Sequence, residues 1–165
     1  IKILKEKRVL GIKILKNPSK WKPKVKTQGW RYHMSNIMAA IGIIQFKKKN
    51  QFKIIRQNLA KRYDKLLERN KNIKIFKRDF NNINPHIYPI LNLTKSSNAL
   101  LQYMKKNKIE IGRHYFPNHL LAKYKSKRLK NTEYLSERLI TLPMHSDLTY
   151  KDQNKVINCL NNFYS

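Results

Sequence analysis

Apolar residues recur at helical spacing in the first half of the chain. Ser35 stands where a helix N-cap belongs, and the apolar residues behind it follow the pattern i, i+3, i+4, i+7: Ile37, Ala40, Ile41 and Ile44. A second apolar stripe lies opposite a lysine- and arginine-rich face and consists of Phe52, Ile55, Leu59, Tyr63 and Leu66. The pattern predicts a long helical stretch that bends near Asn50.

The residues before this stretch predict a short helix followed by a loop. Residues 1–10 fit the end of a helix that Gly11 stops. Residues 13–28 carry two prolines and few aliphatic side chains, so we expect an extended loop in which Trp21 is an anchor.

Short β-rich segments characterise the second half of the chain. Residues 72–76, 86–93 and 109–115 are predicted strands, and residues 142–143 are predicted to form an extended turn. Because short strands are mixed with helices after a helical stretch, the sequence predicts the α+β class.

Three helices are predicted among these strands. Ser96 or Ser97 caps the first, and residues 133–139 form a short second helix. Thr149 and Asp152 match a capping box at the start of the last helix, whose apolar face consists of Val156, Ile157, Leu160 and Phe163.

Composition narrows the class of protein. The 165 residues are 41% hydrophobic, which is enough for one domain with its own core. The longest apolar run, residues 37–44, is far shorter than the roughly 20 residues of a membrane span, and residues 1–11 show no secretory signal. A lone Cys159 cannot form an internal disulfide. We therefore expect a cytoplasmic protein with no membrane association.

The formal net charge of +28 raises the question of nucleic-acid binding. Lysines are spread along the whole chain together with many Asn and Ile residues, as an AT-rich genome would encode at tolerant surface positions. We interpret most of the charge as solvated surface. A basic nucleic-acid-binding module, with Trp21 among the cations of residues 20–26, remains the alternative from another class.

Other kinds of site find little support in the sequence. None of the five histidines has the paired helical spacing of a metalloprotease, and Cys159 lies near no histidine in sequence, so no metal site is predicted. Four glycines in total leave no glycine-rich phosphate loop, and no nucleophile elbow is present.

Several blocks, taken in order, resemble a known family. They are Gly-Trp-Arg-Tyr-His-Met-Ser at residues 29–35 with the Ala-rich segment to Gly42, His-Ile-Tyr at 86–88, Gly-Arg-His-Tyr-Phe-Pro-Asn-His at 112–119, Leu-Pro-Met-His at 142–145, and Arg-Val-Leu-Gly-Ile at 8–12. Together they resemble the DegT/DnrJ/StrS family of nucleotide-sugar aminotransferases.

The resemblance implies a fold-type I transferase that depends on pyridoxal 5'-phosphate (PLP). Residues 1–34 would be a remnant of the large cofactor domain with an interface loop, residues 35–70 the linking helices, and residues 71–165 the small α+β C-terminal domain. In the family, the lysine that holds the cofactor as a Schiff base lies in a Ser-x-His-x-x-Lys context, which these residues do not contain. We therefore nominate no catalytic residue and expect the chain, as the C-terminal portion of such an enzyme, to be inactive alone.

The resemblance also implies where ligands bind. Family members are homodimers with active sites across the interface, and Arg31 matches the motif Asn that reaches the phosphate of the neighbour's cofactor. His33 replaces an Arg or Lys that contacts the substrate's phosphates. His114, Tyr115 and His119 would line the sugar pocket.

Structural interpretations of the same residues stay open. Arg31 and His33 could decorate a loop, Tyr115 could belong to the core, and either loop histidine could be a satisfied surface group. His86 and Tyr88 are interpreted as alternating strand residues, and His145 as a turn residue.

The favoured hypothesis is an enzyme that moves an amino group from a donor amino acid, glutamate, to a keto-sugar on a nucleotide carrier. Such sugars serve surface polysaccharide biosynthesis. Within the family, a PLP-dependent sugar dehydratase with His in place of the lysine is the alternative.

Overall fold

The computed structural model describes residues 2–12, 25, 27–94 and 96–165. These residues form two compact units, Ile1–Lys48 and Lys49–Ser165. The division of the sequence at residues 34 and 70 stays a prediction.

A short helix and a chain reversal open the first unit. Helix α1 spans Lys2–Arg8, and Leu10 and Gly11 follow with positive φ angles of 57° and 74°. A Cβ on Gly11 would lie 2.0 Å from the carbonyl oxygen of Thr27, so only glycine fits this close approach. The helix ends at Arg8, two residues earlier than predicted, and Gly11 lies in the reversal that follows. The predicted loop over residues 13–28 and its anchor Trp21 lie mostly outside the described residues.

Helix α2, Asn36–Lys47, begins where the capping pattern predicts. The Ser35 hydroxyl accepts a hydrogen bond from the Met38 N–H at 3.2 Å. No residue of α2 is buried within the chain, and Ile37, Ile41 and Ile44 are all at least half exposed. Helix α2 therefore presents an apolar surface that is exposed among the described residues.

Helix α3 spans Lys49–Leu67, so the helical stretch is interrupted at Lys48, close to the predicted bend near Asn50. Its buried side is formed by Leu59, Ala60, Tyr63 and Leu67. The prediction that Leu66 belongs to this stripe is wrong. Leu67 lies one full turn beyond Tyr63 and is buried, whereas Leu66 points away from the core.

A three-stranded antiparallel sheet forms one layer of the second unit. Strand β1, Ile73–Ile75, pairs with β2, Tyr88–Asn92, which pairs with β3, Leu139–Leu142. Two predictions are corrected here. Residues 109–115 form no strand and make only an isolated bridge from Gly112 to Thr141, and the predicted turn at residues 142–143 instead contains the end of β3.

Three further helices complete this unit, with two 3₁₀ turns, Asn118–Leu120 and Ala122–Tyr124, before the second. They are α4, Ser97–Lys106, α5, Lys130–Arg138, and α6, Tyr150–Tyr164. Ser96 is the N-cap of α4, and Thr149 with Asp152 forms the predicted capping box of α6. Helix α5 begins three residues earlier than predicted, and the α+β class is confirmed.

The core of the second unit joins the sheet to α3, α4 and α6. Its fully buried side chains include Tyr63, Tyr88, Leu100, Ile140 and Leu160. The ring centroids of Tyr63 and Tyr88 lie 4.7 Å apart, and burial raises the pKa of both phenols. Each phenol still has a polar partner, because Tyr63 donates to the Pro143 carbonyl and Tyr88 to the Asp64 carboxylate.

Buried Gln153 ties α6 to α3. Its side-chain amide donates to the Leu59 carbonyl at 2.8 Å, and its carbonyl accepts from Arg62 at 2.9 Å. These two hydrogen bonds attach α6 to α3, and both helices contribute to the core that the sheet also forms.

Among the described helices, none has the length and apolarity that a membrane crossing requires.

Candidate functional site

The loop of residues 112–119 starts from a fixed point on the sheet. The Gly112 N–H donates to the Thr141 carbonyl at 3.0 Å, and the Thr141 N–H donates to the Gly112 carbonyl at 2.8 Å. A Cβ at Gly112 would lie 2.8 Å from Cε1 of His114 and 3.2 Å from Oγ1 of Thr141. The histidine ring thus lies directly over Gly112, and glycine leaves room for it.

His114 is held by a side-chain hydrogen bond to β3. Its Nδ1 lies 2.6 Å from the hydroxyl of Thr141, which is buried. Its ring lies nearly perpendicular to the Tyr115 ring, at an angle of 84° and with ring centroids 5.0 Å apart. Nε2 has no hydrogen-bond partner among the described residues, so this nitrogen is free for a ligand.

Around His114 the second unit forms an open cleft of about 480 Å³. Its polar lining includes His86, Glu110, Arg113, His114 and Thr141. The imidazoles of His86 and His114 and the guanidinium of Arg113 offer several hydrogen-bond donors to a polar, anionic ligand, whereas the Thr141 hydroxyl is bonded to His114.

His86 corrects a prediction. It lies outside β2, which begins at Tyr88, and its exposed side chain lines the cleft rather than a strand face. Tyr88 is a buried strand residue, as predicted. His86, Arg113 and Thr141 were not nominated from the sequence, although His86 and Arg113 lie inside the blocks that carry the family resemblance.

Tyr115 is 72% exposed, so its interpretation as a core residue is wrong. Together with Phe116, also exposed, it borders a smaller hollow of about 270 Å³ next to Glu133 and Glu137. The aromatic pair therefore forms an exposed apolar wall beside His114.

His119 has a different environment from His114. It is buried, and its Nε2 lies 3.1 Å from Glu133 Oε1. The same carboxylate accepts from the Leu129 N–H at 3.1 Å and from Arg128 at 3.3 Å. The hydrogen bond from His119, followed by those from Leu129 and Arg128, lowers the pKa of Glu133. His119 is thus a satisfied residue that attaches the loop to α5, and it is not on the surface.

Arg31 and His33 lie in the first unit. The main chain holds their loop, because Arg31 pairs with Val9 and the Tyr32 N–H donates to the Arg8 carbonyl at 3.0 Å. Both side chains are exposed, and neither makes a hydrogen bond or ion pair with another described residue. An exposed, uncommitted guanidinium is chemically suited to a phosphate group.

Within the described part of the chain, no group of three or more His, Cys, Asp or Glu residues could hold a metal ion.

His145, as predicted, lies in a turn, where its carbonyl accepts from the Leu148 N–H at 3.2 Å.

Sequence comparison places the chain in a family. The model of the DegT/DnrJ/EryC1/StrS aminotransferase family matches residues 2–161. The chain belongs to this family. A UDP-4-amino-4,6-dideoxy-N-acetyl-beta-L-altrosamine transaminase of Campylobacter jejuni is 26% identical over 148 residues, which are 85% of this chain and 39% of the relative.

Solved structures of family members have the same fold. Helicobacter pylori PseC, an aminotransferase involved in pseudoaminic acid biosynthesis, superposes with a TM-score of 0.83 at 24% identity, covering 96% of this chain and 44% of PseC. The PMP form of the putative sugar aminotransferase Spr1654 of Streptococcus pneumoniae gives 0.85 at 22% identity, with 96% and 43% covered. The predicted family and the fold of a PLP-dependent sugar aminotransferase are confirmed. The chain spans about two fifths of the length of these relatives.

Proposed function

We propose that this chain is the small-domain part of a PLP-dependent aminotransferase that acts on a nucleotide-linked keto-sugar, with glutamate as the amino donor. The observation that carries the proposal is the cleft around His114 in a chain of this family. The polar groups of the cleft match the hydroxyl and phosphate oxygens of a nucleotide sugar.

The names of relatives support the substrate class. The Campylobacter jejuni relative is a transaminase named for a UDP-linked amino sugar, and PseC is an aminotransferase involved in the biosynthesis of pseudoaminic acid. The product of the present enzyme would accordingly be an amino sugar for surface polysaccharide or another glycosylated product. The family assignment favours this proposal over a basic nucleic-acid-binding module.

Arg31 is the residue proposed to meet the cofactor. Its exposed guanidinium fits a phosphate group, and we assign it to the phosphate of PLP bound by a partner subunit of a homodimer. When bound, PLP supplies the electron sink that amino-group transfer requires. His33, two residues further on, is assigned to the phosphates of the substrate.

The uncovered apolar surface of α2 supports the proposed homodimer. Ile37, Ile41 and Ile44 are 74%, 53% and 50% exposed in this chain, and a patch of this kind marks a surface that another part of the assembly covers. The role of this chain is thus to supply the substrate cleft and the interface loop. Because its 165 residues contain no Ser-x-His-x-x-Lys motif, we propose that they do not transfer amino groups by themselves.

The proposal predicts a defined reaction for the protein that carries this chain, purified as its gene encodes it. Incubated with PLP, glutamate and a UDP-linked keto-sugar, it should release 2-oxoglutarate and an amino sugar, detected by mass spectrometry. The 165-residue chain alone is the control and should release neither. Loss of water from the sugar without 2-oxoglutarate would identify the dehydratase instead, and no reaction with any nucleotide-linked keto-sugar would contradict the proposal.

Replacement of Arg31 should weaken cofactor binding in the same protein. Removing a charged hydrogen bond costs about 1.5 kcal/mol or more, so Arg31→Ala should raise the Kd for PLP by about tenfold or more. Arg31→Asn, which restores the residue of the family motif, should keep most of the affinity. His33→Ala serves as the matched loop control and should bind PLP normally in an absorbance titration. Unchanged PLP affinity in Arg31→Ala would rule out the assigned contact.

A further inference from the structure

The hydrogen bond between Thr141 and His114 joins a buried residue to an exposed one. Thr141 is 5% exposed and lies in the middle of the β3 pairing, opposite Pro89. Among the described residues, its hydroxyl has one hydrogen-bond partner, Nδ1 of His114 at 2.6 Å. An exposed loop histidine is thus attached to the rigid sheet through one ring nitrogen.

The main chain fixes the start of the loop relative to Thr141. Gly112 and Thr141 exchange both of their backbone hydrogen bonds, so the start of the loop cannot slide along β3. His114 then extends back over Gly112, close enough that a Cβ there would touch its Cε1. The ring therefore has one orientation that satisfies both the hydroxyl and the packing against Gly112.

An imidazole without such a partner could turn about its χ2 angle and present either nitrogen, or a carbon, to the cleft. The two nitrogens of a neutral ring have different roles, and the partner of one nitrogen decides what the other can do. With Nδ1 held by the hydroxyl, Nε2 is the nitrogen left for a ligand.

We propose that Thr141 is a positioning residue for His114. Its hydroxyl donates to Nδ1, which leaves the ring proton on Nε2, and Nε2 then donates to an oxygen of the sugar or phosphate of a nucleotide-linked sugar in the cleft. This inference rests on the proposed function for the identity of the ligand, whereas the orientation of the ring rests on the geometry of this chain.

Two substitutions separate the hydroxyl from the shape of the side chain. Thr141→Val removes the hydroxyl but keeps a β-branched residue that suits a strand, and it leaves the backbone pairing with Gly112 intact. Thr141→Ser keeps the hydroxyl and loses only a methyl group. Both variants should remain folded, as circular dichroism will show, and only the valine variant should release the ring.

Ring orientation is measured by NMR on the 165-residue chain. The nuclear Overhauser effect between Hε1 of His114 and the α-protons of Gly112 should be present in the unsubstituted chain and in Thr141→Ser, and absent or much weaker in Thr141→Val. Persistence of the effect in Thr141→Val would overturn the inference, because the ring would then keep its orientation without the hydroxyl.

The functional arm uses the complete gene product with glutamate and a UDP-linked keto-sugar. Loss of a neutral hydrogen bond predicts a fall in kcat/KM of about 3- to 10-fold for Thr141→Val, with recovery in Thr141→Ser. A released ring with an unchanged kcat/KM would overturn the positioning role. If the unsubstituted protein transfers no amino group, the proposed function fails, and the NMR comparison alone then decides whether Thr141 orients His114.

Discussion

Replacing Ile140 by alanine is expected to lower the free energy of unfolding of this chain by about 2–5 kcal/mol. Ile140 is 0% exposed and lies in the pairing of β2 with β3, opposite Ile90. Three carbon atoms would be removed from a core in which Tyr88 and Leu100 are also fully buried, so the cavity cannot be filled by solvent. The loss is large beside the roughly 5–15 kcal/mol that stabilises a typical domain.

The measurement is urea unfolding of the 165-residue chain, followed by circular dichroism. Ile54→Ala is the matched control, because Ile54 is 57% exposed on α3 and alanine favours a helix. It should change the stability by no more than about 0.5 kcal/mol. Equal losses in the two variants would show that β3 does not pack as the structure has it.

The helices were predictable because their determinants are local. Ser35, Ser96 and the pair Thr149 and Asp152 each form the cap that the sequence predicts, since a cap involves residues only three positions apart. The boundary errors are small for the same reason. Leu66 and Leu67 both fit helical spacing after Tyr63, and only packing against the core distinguishes the buried Leu67 from the exposed Leu66.

The strand errors arise from long-range pairing. Residues 109–115 have a β-rich composition but form only one backbone bridge to β3, at Gly112, whereas residues 139–142 form a full strand because β2 lies beside them. Neither outcome can be read from residues near in sequence. A strand is stabilised by its cross-strand neighbours, so short β-rich segments are ambiguous until the sheet order is known.

The site was predictable in its loop but not in its contacts. His114, Tyr115 and His119 were grouped because they share a motif, and the fold separates them. His114 lines the cleft, Tyr115 is exposed next to it, and His119 is buried against Glu133. Thr141 was missed because it lies 27 residues from His114, and only the pairing of Gly112 with β3 brings the two together.

The largest effect on activity is expected from His114→Ala in the complete gene product. If Nε2 donates to a charged phosphate oxygen, its loss costs about 1.5–3 kcal/mol, which lowers kcat/KM about 10- to 150-fold. His145→Ala is the matched control, since His145 is also exposed but does not line the cleft, and it should leave kcat/KM within about twofold of the unsubstituted protein. Steady-state kinetics with glutamate and a UDP-linked keto-sugar gives both values.

Gly112→Ala tests the same site without removing any of its polar groups. The added methyl group would lie 2.8 Å from Cε1 of His114, so the ring must move away from Thr141, whereas the backbone hydrogen bonds to β3 can remain. We expect kcat/KM to fall to between the values of the unsubstituted protein and His114→Ala, because the imidazole is present but misplaced. A normal rate in Gly112→Ala together with a large loss in His114→Ala would mean that the ligand needs the imidazole but not its orientation. A normal rate in both variants would place the ligand elsewhere.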